Sequence, residues 1–272
     1  MSESTVLIEQ QGAVARVTLN RPDRRNSFDG PMIGELCEAF ETVDRGQAVR
    51  VVVLGGAGAV FCAGADLRWM GAGGAVSSQQ ARADAERLVR LYRAIDECPC
   101  PVIARVQGSA FGGGVGLLAV CDVVVAAEDA SFALSEARLG LVPAVIAPFL
   151  LRKAGESFMR RYALTGETFS VSTARQFDLV HDVVERNGLD KRIDELIESV
   201  FQLAPQALRR TKALLRQVVQ SSEAERWRLC AEANAEARLS EEGREGIQSF
   251  TAKRTPSWAA ARQERHHKPE AQ

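Results

Sequence analysis

Short runs of apolar residues, separated by stretches of helical periodicity, constrain the fold of this chain most strongly. Three of these runs have the composition of buried β-strands, namely Val49–Leu54, Pro101–Val106 and Asp122–Ala127. Between them, Gln79–Asp96 is amphipathic at helical spacing and Gly113–Val120 is a short apolar helix. Because strands that alternate with helices form parallel sheets with crossover helices, the sequence predicts an α/β core.

The two ends of the chain differ from this core. Near the start, Val6–Glu9 and Ala13–Leu19 predict a hairpin, and helical spacing follows over Pro31–Asp44. The C-terminal part is almost entirely helical, in the segments Asp190–Leu203, Pro205–Val219, Ala224–Leu239 and Glu241–Arg254. We therefore expect a core over residues 1–200 and a helical region with a polar tail over residues 201–272.

The composition excludes several classes of protein. The chain has 34 basic and 35 acidic residues and a formal net charge of −1, so nothing favours binding to nucleic acid or to an anionic membrane. It lacks a secretory signal pattern and any apolar run of about 18 residues, which predicts a cytoplasmic protein. Its cysteines form no Cys-x-x-Cys pair, and His266 and His267 lie in a polar tail without a third ligand, so no metal site is expected.

Two glycine-rich segments are the first candidates for a binding site. Phe61–Leu67 lies a few residues after one predicted strand, and Gly108–Gly116 comes just after the next. Glycine allows tight turns and exposes backbone N–H groups to a ligand, and a helix N-terminus adds partial positive charge. N–H groups from two such loops could converge on one carbonyl oxygen and stabilise an enolate, although close helix–strand packing would call for the same glycines.

A dinucleotide-binding enzyme is the competing interpretation of the second segment. Gly114, Gly116 and Ala119 match the Gly-x-Gly-x-x-Ala form of a dinucleotide fingerprint. A Rossmann turn, however, begins where the strand ends, and about seven residues separate Val106 from Gly114. Asp129 also comes too early to be the acid that binds the ribose, so the match is weak.

Glu136 is the candidate for proton transfer. It follows Ser135, which could cap a short helix with Glu136 in its first turn. A glutamate in that position is often simply solvated, but the sequence around this one is apolar from Phe132 to Ile146. A carboxyl group enclosed by apolar side chains has a raised pKa and can exchange protons near neutral pH. No histidine lies near these segments in the sequence, since His181 falls in a predicted strand over Leu179–Val184, so a Ser-His-Asp triad is not expected.

Six segments that follow one another in a fixed order carry a family resemblance. They are Leu19–Pro22 with Arg25-Asn26, Phe61–Leu67, Gln107–Gly114, Cys121-Asp122, Ser135–Leu141 and Glu245–Arg254. Together they resemble the crotonase (enoyl-CoA hydratase/isomerase) superfamily over nearly the whole chain. The resemblance implies an α/β crotonase-like spiral of ββα turns, with a C-terminal helical trimerisation region that forms a homotrimer or a hexamer. It also implies an acyl-CoA thioester as substrate, with coenzyme A as part of the substrate and no separate cofactor.

The resemblance further implies roles for individual residues. By position, the N–H groups of Ala65 and Gly113 correspond to the oxyanion hole around the thioester carbonyl, and Glu136 corresponds to one of two family glutamates. Phe250 and Lys253 match positions that touch the nucleotide end, often across a subunit boundary. The other matched positions contact CoA phosphates or line the path of CoA and pantetheine: Arg25, Ala63, Gly64, Asp66, Leu67 and Arg68.

The sequence departs from the family pattern at Gly116, where the second glutamate would stand. With Phe61–Met70 and Pro143–Phe149, this glycine makes the chain similar to bacterial single-glutamate hydratases of the methylglutaconyl-CoA or isohexenylglutaconyl-CoA type, as in leucine or acyclic-terpene degradation. Hydration of a 2-enoyl-CoA is therefore the favoured function. A single-glutamate enoyl-CoA isomerase and a CoA-binding crotonase fold without turnover remain alternatives, and the small residues of Gly71–Ser78 predict a loop in the wall of the acyl pocket.

Overall fold

The computed structural model describes residues 4–45, 48–71 and 76–259. The chain divides into two compact units, Met1–Asp194 and Glu195–Gln272, whereas the sequence places the boundary after residue 200. Residues 72–75 of the predicted pocket loop lie outside the described residues, as do the tail histidines His266 and His267.

Two sheets form the framework of the first unit. The larger consists of β1 Val6–Gln11, β2 Val14–Leu19, β3 Val51–Gly56, β4 Val102–Val106, β6 Val123–Ala127 and β9 Asp182–Val184. Its spatial order is β1-β2-β3-β4-β6-β9, and every neighbouring pair is parallel except the β1–β2 hairpin. The smaller consists, in the spatial order β5-β7-β8, of β5 Ala110–Phe111, β7 Ser131–Ala133 and β8 Thr168–Ser170.

Helices connect these strands and make up the second unit. Those of the first unit are α1 Gly30–Arg45, α2 Leu67–Gly71, α3 Ser78–Asp96, α4 Gly113–Val120, α5 Ala147–Thr165 and α6 Val171–Gln176. Short 3-10 helices cover Pro22–Arg24, Glu136–Leu139 and Arg186–Gly188. The boundary between the units falls within α7 Leu189–Phe201, and the second unit continues with α8 Pro205–Gln220, α9 Glu223–Leu239 and α10 Glu241–Thr251.

The core lies where α1, α3 and α4 cover the parallel strands. Strand β3 is buried over Val51–Gly55, which explains why its sequence is continuously apolar rather than alternating. Helix α1 packs against α3 and buries Leu36 and Phe40, while α3 buries Leu91 and Ile95. The predicted α/β core is thus confirmed, and α4 has the bounds that its apolar run predicts.

One predicted strand differs from the structure, and one helix was not predicted. The strand expected over Leu179–Val184 begins only at Asp182, because the N–H groups of Leu179 and Val180 bind the Ala174 carbonyl at the end of α6. Helix α5 was not predicted, and it is interrupted at Gly155, whose φ of 85° breaks the helical periodicity. Within the described residues, no helix has the length and apolarity needed to cross a membrane.

Candidate active site

The segment Phe61–Leu67 is held in place by Asn26, a fully buried side chain. The Asn26 Oδ1 accepts a hydrogen bond from the Arg21 N–H at 3.0 Å. Its Nδ2 donates to three carbonyls in the turn after β3, those of Ala57, Val60 and Phe61, at 2.8, 2.8 and 3.2 Å. One buried amide therefore joins the chain before α1 to the first glycine-rich segment, as buried polar groups require.

The two glycine-rich segments meet directly. The N–H of Phe111 donates to the carbonyl of Cys62 at 2.9 Å. Gly64 has a φ of 86°, and a Cβ atom there would lie 2.8 Å from the Phe111 oxygen and 3.2 Å from the Gly113 nitrogen. Only glycine permits both this backbone conformation and this approach, so the glycine pattern serves the contact between the two segments.

Ala65 and Gly113 lie on the wall of the same cavity. Gly113 is the first residue of α4, where a backbone N–H has no partner within the helix. In the part of the chain that the structure describes, neither N–H donates a hydrogen bond to a backbone carbonyl. The geometry thus brings the two predicted donors to one space, while their role toward a ligand stays a prediction.

Glu136 is half-buried and lies on the wall of this cavity. Strand β7 leads into its 3-10 helix and is tied to the second glycine-rich segment, because the Gly112 N–H donates to the Ala133 carbonyl at 2.9 Å. Gly112 has a φ of 50°, and a Cβ there would lie 3.2 Å from Glu136 Oε1. The carboxylate therefore lies against the turn that opens α4.

Burial raises the pKa of Glu136 above its ordinary value. Its buried Oε2 atom has no hydrogen-bond partner among the described residues, so it is free to meet a ligand or a water molecule. The expectation that Ser135 caps this turn through its side chain is wrong. Ser135 occupies the N-cap position but makes no side-chain capping bond there.

The cavity around Glu136 has a volume of about 320 Å³ and largely apolar walls. The segment after Glu136 and the start of α5 contribute Leu139, Leu141, Val142, Pro143, Val145 and Ile146. The rest of the apolar wall includes Phe28, Met70, Leu88 and Tyr92. Apolar walls of this kind suit an acyl chain, and they are also the cause of the raised Glu136 pKa.

Side chains fill the space beside Gly116, where the family pattern has its second glutamate. A Cβ atom at Gly116 would lie 2.3 Å from Cγ2 of Ile146 and 3.0 Å from Cε1 of Tyr92. Gly116 is itself buried. The loss of the acid is therefore accompanied by packing that leaves it no room.

The predicted CoA-contacting residues of the first unit fall into two groups. Ala63, Gly64 and Leu67 line the cavity. Arg25 and Arg68 are exposed, and Arg25 also holds the loop through its carbonyl, which accepts a hydrogen bond from the N–H of Ala63 at 2.9 Å. An exposed guanidinium suits a phosphate group.

Asp66 has a partner within the protein. It pairs with Arg21 at 3.2 Å and accepts a hydrogen bond from the N–H of Arg68 at 2.9 Å. Partial burial acts to raise the pKa of Asp66, but these hydrogen bonds outweigh it and the pKa is lowered. Its carboxylate thus anchors the start of α2.

Phe250 and Lys253 belong to the second unit, at the end of α10. The Phe250 side chain is 88% exposed, which is unusual for a large aromatic residue. Lys253 adopts a left-handed backbone with a φ of 52° directly after the helix. Both side chains are accessible to a ligand, as their predicted role requires.

Tyr92 is the main residue of the site that the sequence analysis missed. It lies in α3, is 1% exposed, and donates a hydrogen bond from its hydroxyl to the Gly113 carbonyl at 2.9 Å. The sequence does not reveal this role, because a tyrosine on the apolar face of a predicted helix is most simply a core residue.

The comparisons with known proteins agree with this geometry. A model of the family described as enoyl-CoA hydratase/isomerase matches residues 9–261. The chain belongs to this family. The crotonase resemblance and the α/β crotonase fold, with its C-terminal helices, are thereby confirmed.

Individual members of the family show how close the likeness is. The crystal structure of an enoyl-CoA hydratase from Shewanella pealeana is 37% identical, with a TM-score of 0.89 over 93% of this chain and 96% of that one. The 2,3-dehydroadipyl-CoA hydratase of Escherichia coli is 32% identical over 260 residues, 94% of this chain and 98% of its own length. The 1,2-epoxyphenylacetyl-CoA isomerase of the same organism is 32% identical over 259 residues, 93% and 97% of the two chains. Because hydratase and isomerase names occur at the same identity, the family does not decide between the two reactions.

Proposed function

We propose that this chain is an enoyl-CoA hydratase that adds water across the 2,3 double bond of a 2-enoyl-CoA thioester, with Glu136 as its proton-transfer residue. The observation that carries the proposal is the position of the Glu136 carboxylate. It lies against Gly112, one residue before Gly113, whose N–H donates to no backbone carbonyl among the described residues, in the cavity that Ala65 also lines. A carboxylate beside two N–H donors is what proton transfer at the α-carbon of a thioester requires.

In the proposed reaction, the thioester oxygen accepts hydrogen bonds from the N–H groups of Ala65 and Gly113. Ionised Glu136 takes a proton from a water molecule, whose oxygen bonds to C3 as the π electrons of the double bond pass into an enolate. The protonated Glu136 then returns its proton to C2, and the carbonyl is restored. The net change is the addition of one water molecule, and Glu136 ends as it began.

Coenzyme A has a proposed path along the first glycine-rich segment. We place the pantetheine arm along Ala63, Gly64 and Leu67, with Asp66 and Arg68 at the same segment, which the exposed position of Arg68 supports. We assign the CoA phosphates to Arg25, and the nucleotide end to Phe250 and Lys253 of a neighbouring subunit. The chemistry of these side chains supports the assignment, since cations pair with phosphates and an exposed aromatic ring can stack on a base.

The acyl chain that we propose is branched and apolar. The resemblance to single-glutamate hydratases favours a branched chain of the glutaconyl type, which ends in a carboxylate. Among the described residues that line the cavity, none is basic, and Glu136 already places one carboxylate there. A second buried carboxylate would need a cation from outside this lining, so the apolar chain fits the described walls better.

An enoyl-CoA isomerase is the second candidate. It needs one base to move a proton from C2 to C4, and the filled space beside Gly116 is the observation that favours it. The two reactions differ in whether water enters the product. Turnover of crotonyl-CoA and of a 3-enoyl-CoA in H₂¹⁸O therefore distinguishes them, with ¹⁸O uptake measured by mass and double-bond migration measured by the absorbance of the conjugated 2-enoyl thioester.

The decisive experiment compares Glu136→Gln with Glu128→Gln, an exposed carboxylate used as the control. Hydration of crotonyl-CoA should fall by about 10²–10⁴ in Glu136→Gln and remain unchanged in the control, while the affinity for butyryl-CoA stays the same in both. Equal turnover in wild type and Glu136→Gln contradicts the assignment. If the protein binds butyryl-CoA but turns over no enoyl-CoA, it is a CoA-binding protein without catalytic activity.

A further inference from the structure

We propose that Tyr92 is a positioning residue, whose buried hydroxyl fixes the Gly113 carbonyl and, through it, the N–H that faces the thioester oxygen. The inference rests on the proposed function, since it concerns the geometry of the same oxyanion site. It adds a residue that lies on α3, apart from both glycine-rich segments and from the segment that carries Glu136.

The contact is made at the first residue of a helix. The Tyr92 hydroxyl donates to the carbonyl of Gly113 at 2.9 Å, and Gly113 opens α4. The first residue of a helix is its least constrained, because its N–H has no helical partner and its carbonyl has one. A second hydrogen bond to that carbonyl restricts the rotation of Gly113, a residue that has no side chain of its own to hold it.

Steric contacts show that the site is built around this hydroxyl. A Cβ atom at Gly113 would lie 2.8 Å from the Tyr92 oxygen and 2.9 Å from Cε2 of Phe28. The glycine at this position therefore permits the approach of the phenol, in addition to the approach of a ligand. Tyr92 and Phe28 are both buried, both line the cavity, and both lie beside the same residue, Gly113.

The ring of Tyr92 is itself held in place. It lies against Gly116, where a Cβ would be 3.0 Å from its Cε1 atom, and its centroid is 6.1 Å from that of Phe149. The hydroxyl also stays protonated, because burial, and after it the negative potential of Cys62 and Glu136, raises the pKa of Tyr92 well above its ordinary value. Tyr92 is thus a permanent hydrogen-bond donor and not a second base.

The two tyrosines of the chain provide a matched test. Tyr92→Phe removes only the hydroxyl and keeps the ring that packs beside Gly116. Tyr162→Phe is the control, since Tyr162 is also buried but packs against Phe158 and Phe169, with ring centroids 5.0 and 4.5 Å away, and is not among the described residues of the cavity wall.

The experiment measures hydration of crotonyl-CoA together with the absorption of bound 4-(dimethylamino)cinnamoyl-CoA, whose red shift reports polarisation of the thioester carbonyl. In Tyr92→Phe we expect kcat to fall about tenfold with KM changed less than about twofold, and a smaller red shift on a probe that still binds. Tyr162→Phe should match the wild type in all three. The spectral readout does not depend on turnover, so it tests the position of the donor directly.

Three outcomes would overturn the inference. An unchanged kcat and a full red shift in Tyr92→Phe would show that the hydroxyl does not position Gly113. Loss of probe binding together with a lower melting temperature would show a packing role alone. A wild type that neither hydrates crotonyl-CoA nor shifts the probe would instead remove the proposed function, and the inference with it.

Discussion

Glu136 illustrates, at the scale of one residue, how a common side chain gains a particular chemistry from its surroundings. Its helix-start position alone suits a solvated glutamate. The apolar cavity wall partly removes it from water and leaves its Oε2 atom without a partner among the described residues. Burial thereby favours the protonated form and brings the proton affinity of the carboxyl group closer to that needed for exchange near neutral pH.

This raised pKa predicts the pH dependence of activity. As the proposed base, Glu136 must be ionised in the free enzyme, so activity is present above its folded pKa and is lost as pH falls through it. The acid limb of kcat/KM for crotonyl-CoA hydration should accordingly lie above pH 4.5, the ordinary glutamate value. A profile that stays flat to below that pH would contradict the burial of the reacting carboxylate.

Helix α4 is the element on which the site depends most. At its N-terminus Gly113 lines the cavity, and its C-terminus is capped by the half-buried Lys153, whose Nζ donates to the carbonyls of Leu118 and Cys121 at 3.1 and 2.5 Å. Burial lowers the pKa of Lys153 to about 8, so it remains mostly protonated at neutral pH. A cation at the C-terminus complements the helix dipole and stabilises the helix that carries the predicted donor.

The packing between α4 and the start of α5 predicts the effect of restoring the second acid. Gly116→Glu should lower the free energy of unfolding by about 1–3 kcal/mol, since its Cβ would overlap Ile146. Combining it with Ile146→Ala, which alone should cost about 2–5 kcal/mol, relieves that overlap. Urea unfolding should therefore show the double variant to be more stable than the sum of the two single changes.

Simple additivity in that cycle would show that Ile146 is not what excludes the acid. Activity gives a second measurement on the same proteins. If hydration with one acid is the natural chemistry, the wild type should hydrate crotonyl-CoA without a second glutamate. The double variant should then be no more active than the wild type.

At the scale of the whole molecule, the second unit leaves a large part of its apolar side chains exposed. Helices α8 and α9 have no fully buried residue. Several of their apolar side chains are largely exposed, namely Leu215, Val219, Trp227 and Leu239. Exposed apolar surface of this extent is typical of an interface between proteins.

We expect these helices to mediate self-association into a trimer or hexamer. Light scattering at micromolar concentration should give a mass of at least three chains, and Leu215→Glu with Val219→Glu should reduce it. Leu164→Glu is the control, because Leu164 is at least as exposed but belongs to the first unit. A monomeric wild type would contradict the prediction and would also weaken the assignment of Lys253 to a site shared between subunits.

Local sequence was sufficient for much of this protein. The periodicity of the apolar residues predicts the parallel strands, α3 and α4. In each of these segments the spacing of apolar residues matches the face that is buried. The glycines of the two segments after β3 and β4 predict a close approach of backbone. Where a segment is irregular, as α5 is at Gly155, the pattern is lost and so is the prediction.

The tertiary structure decided what the reacting residues touch. Ser135 stands where a capping residue would, yet its side chain does not cap, and Tyr92 has the pattern of a core residue, yet its hydroxyl holds Gly113. Gly116 shows in the sequence only that an acid is missing, whereas Ile146 filling that space became visible only in the fold. The physical reason is that periodicity records which face of a segment is buried, but contacts between side chains distant in sequence depend on how the elements pack against one another.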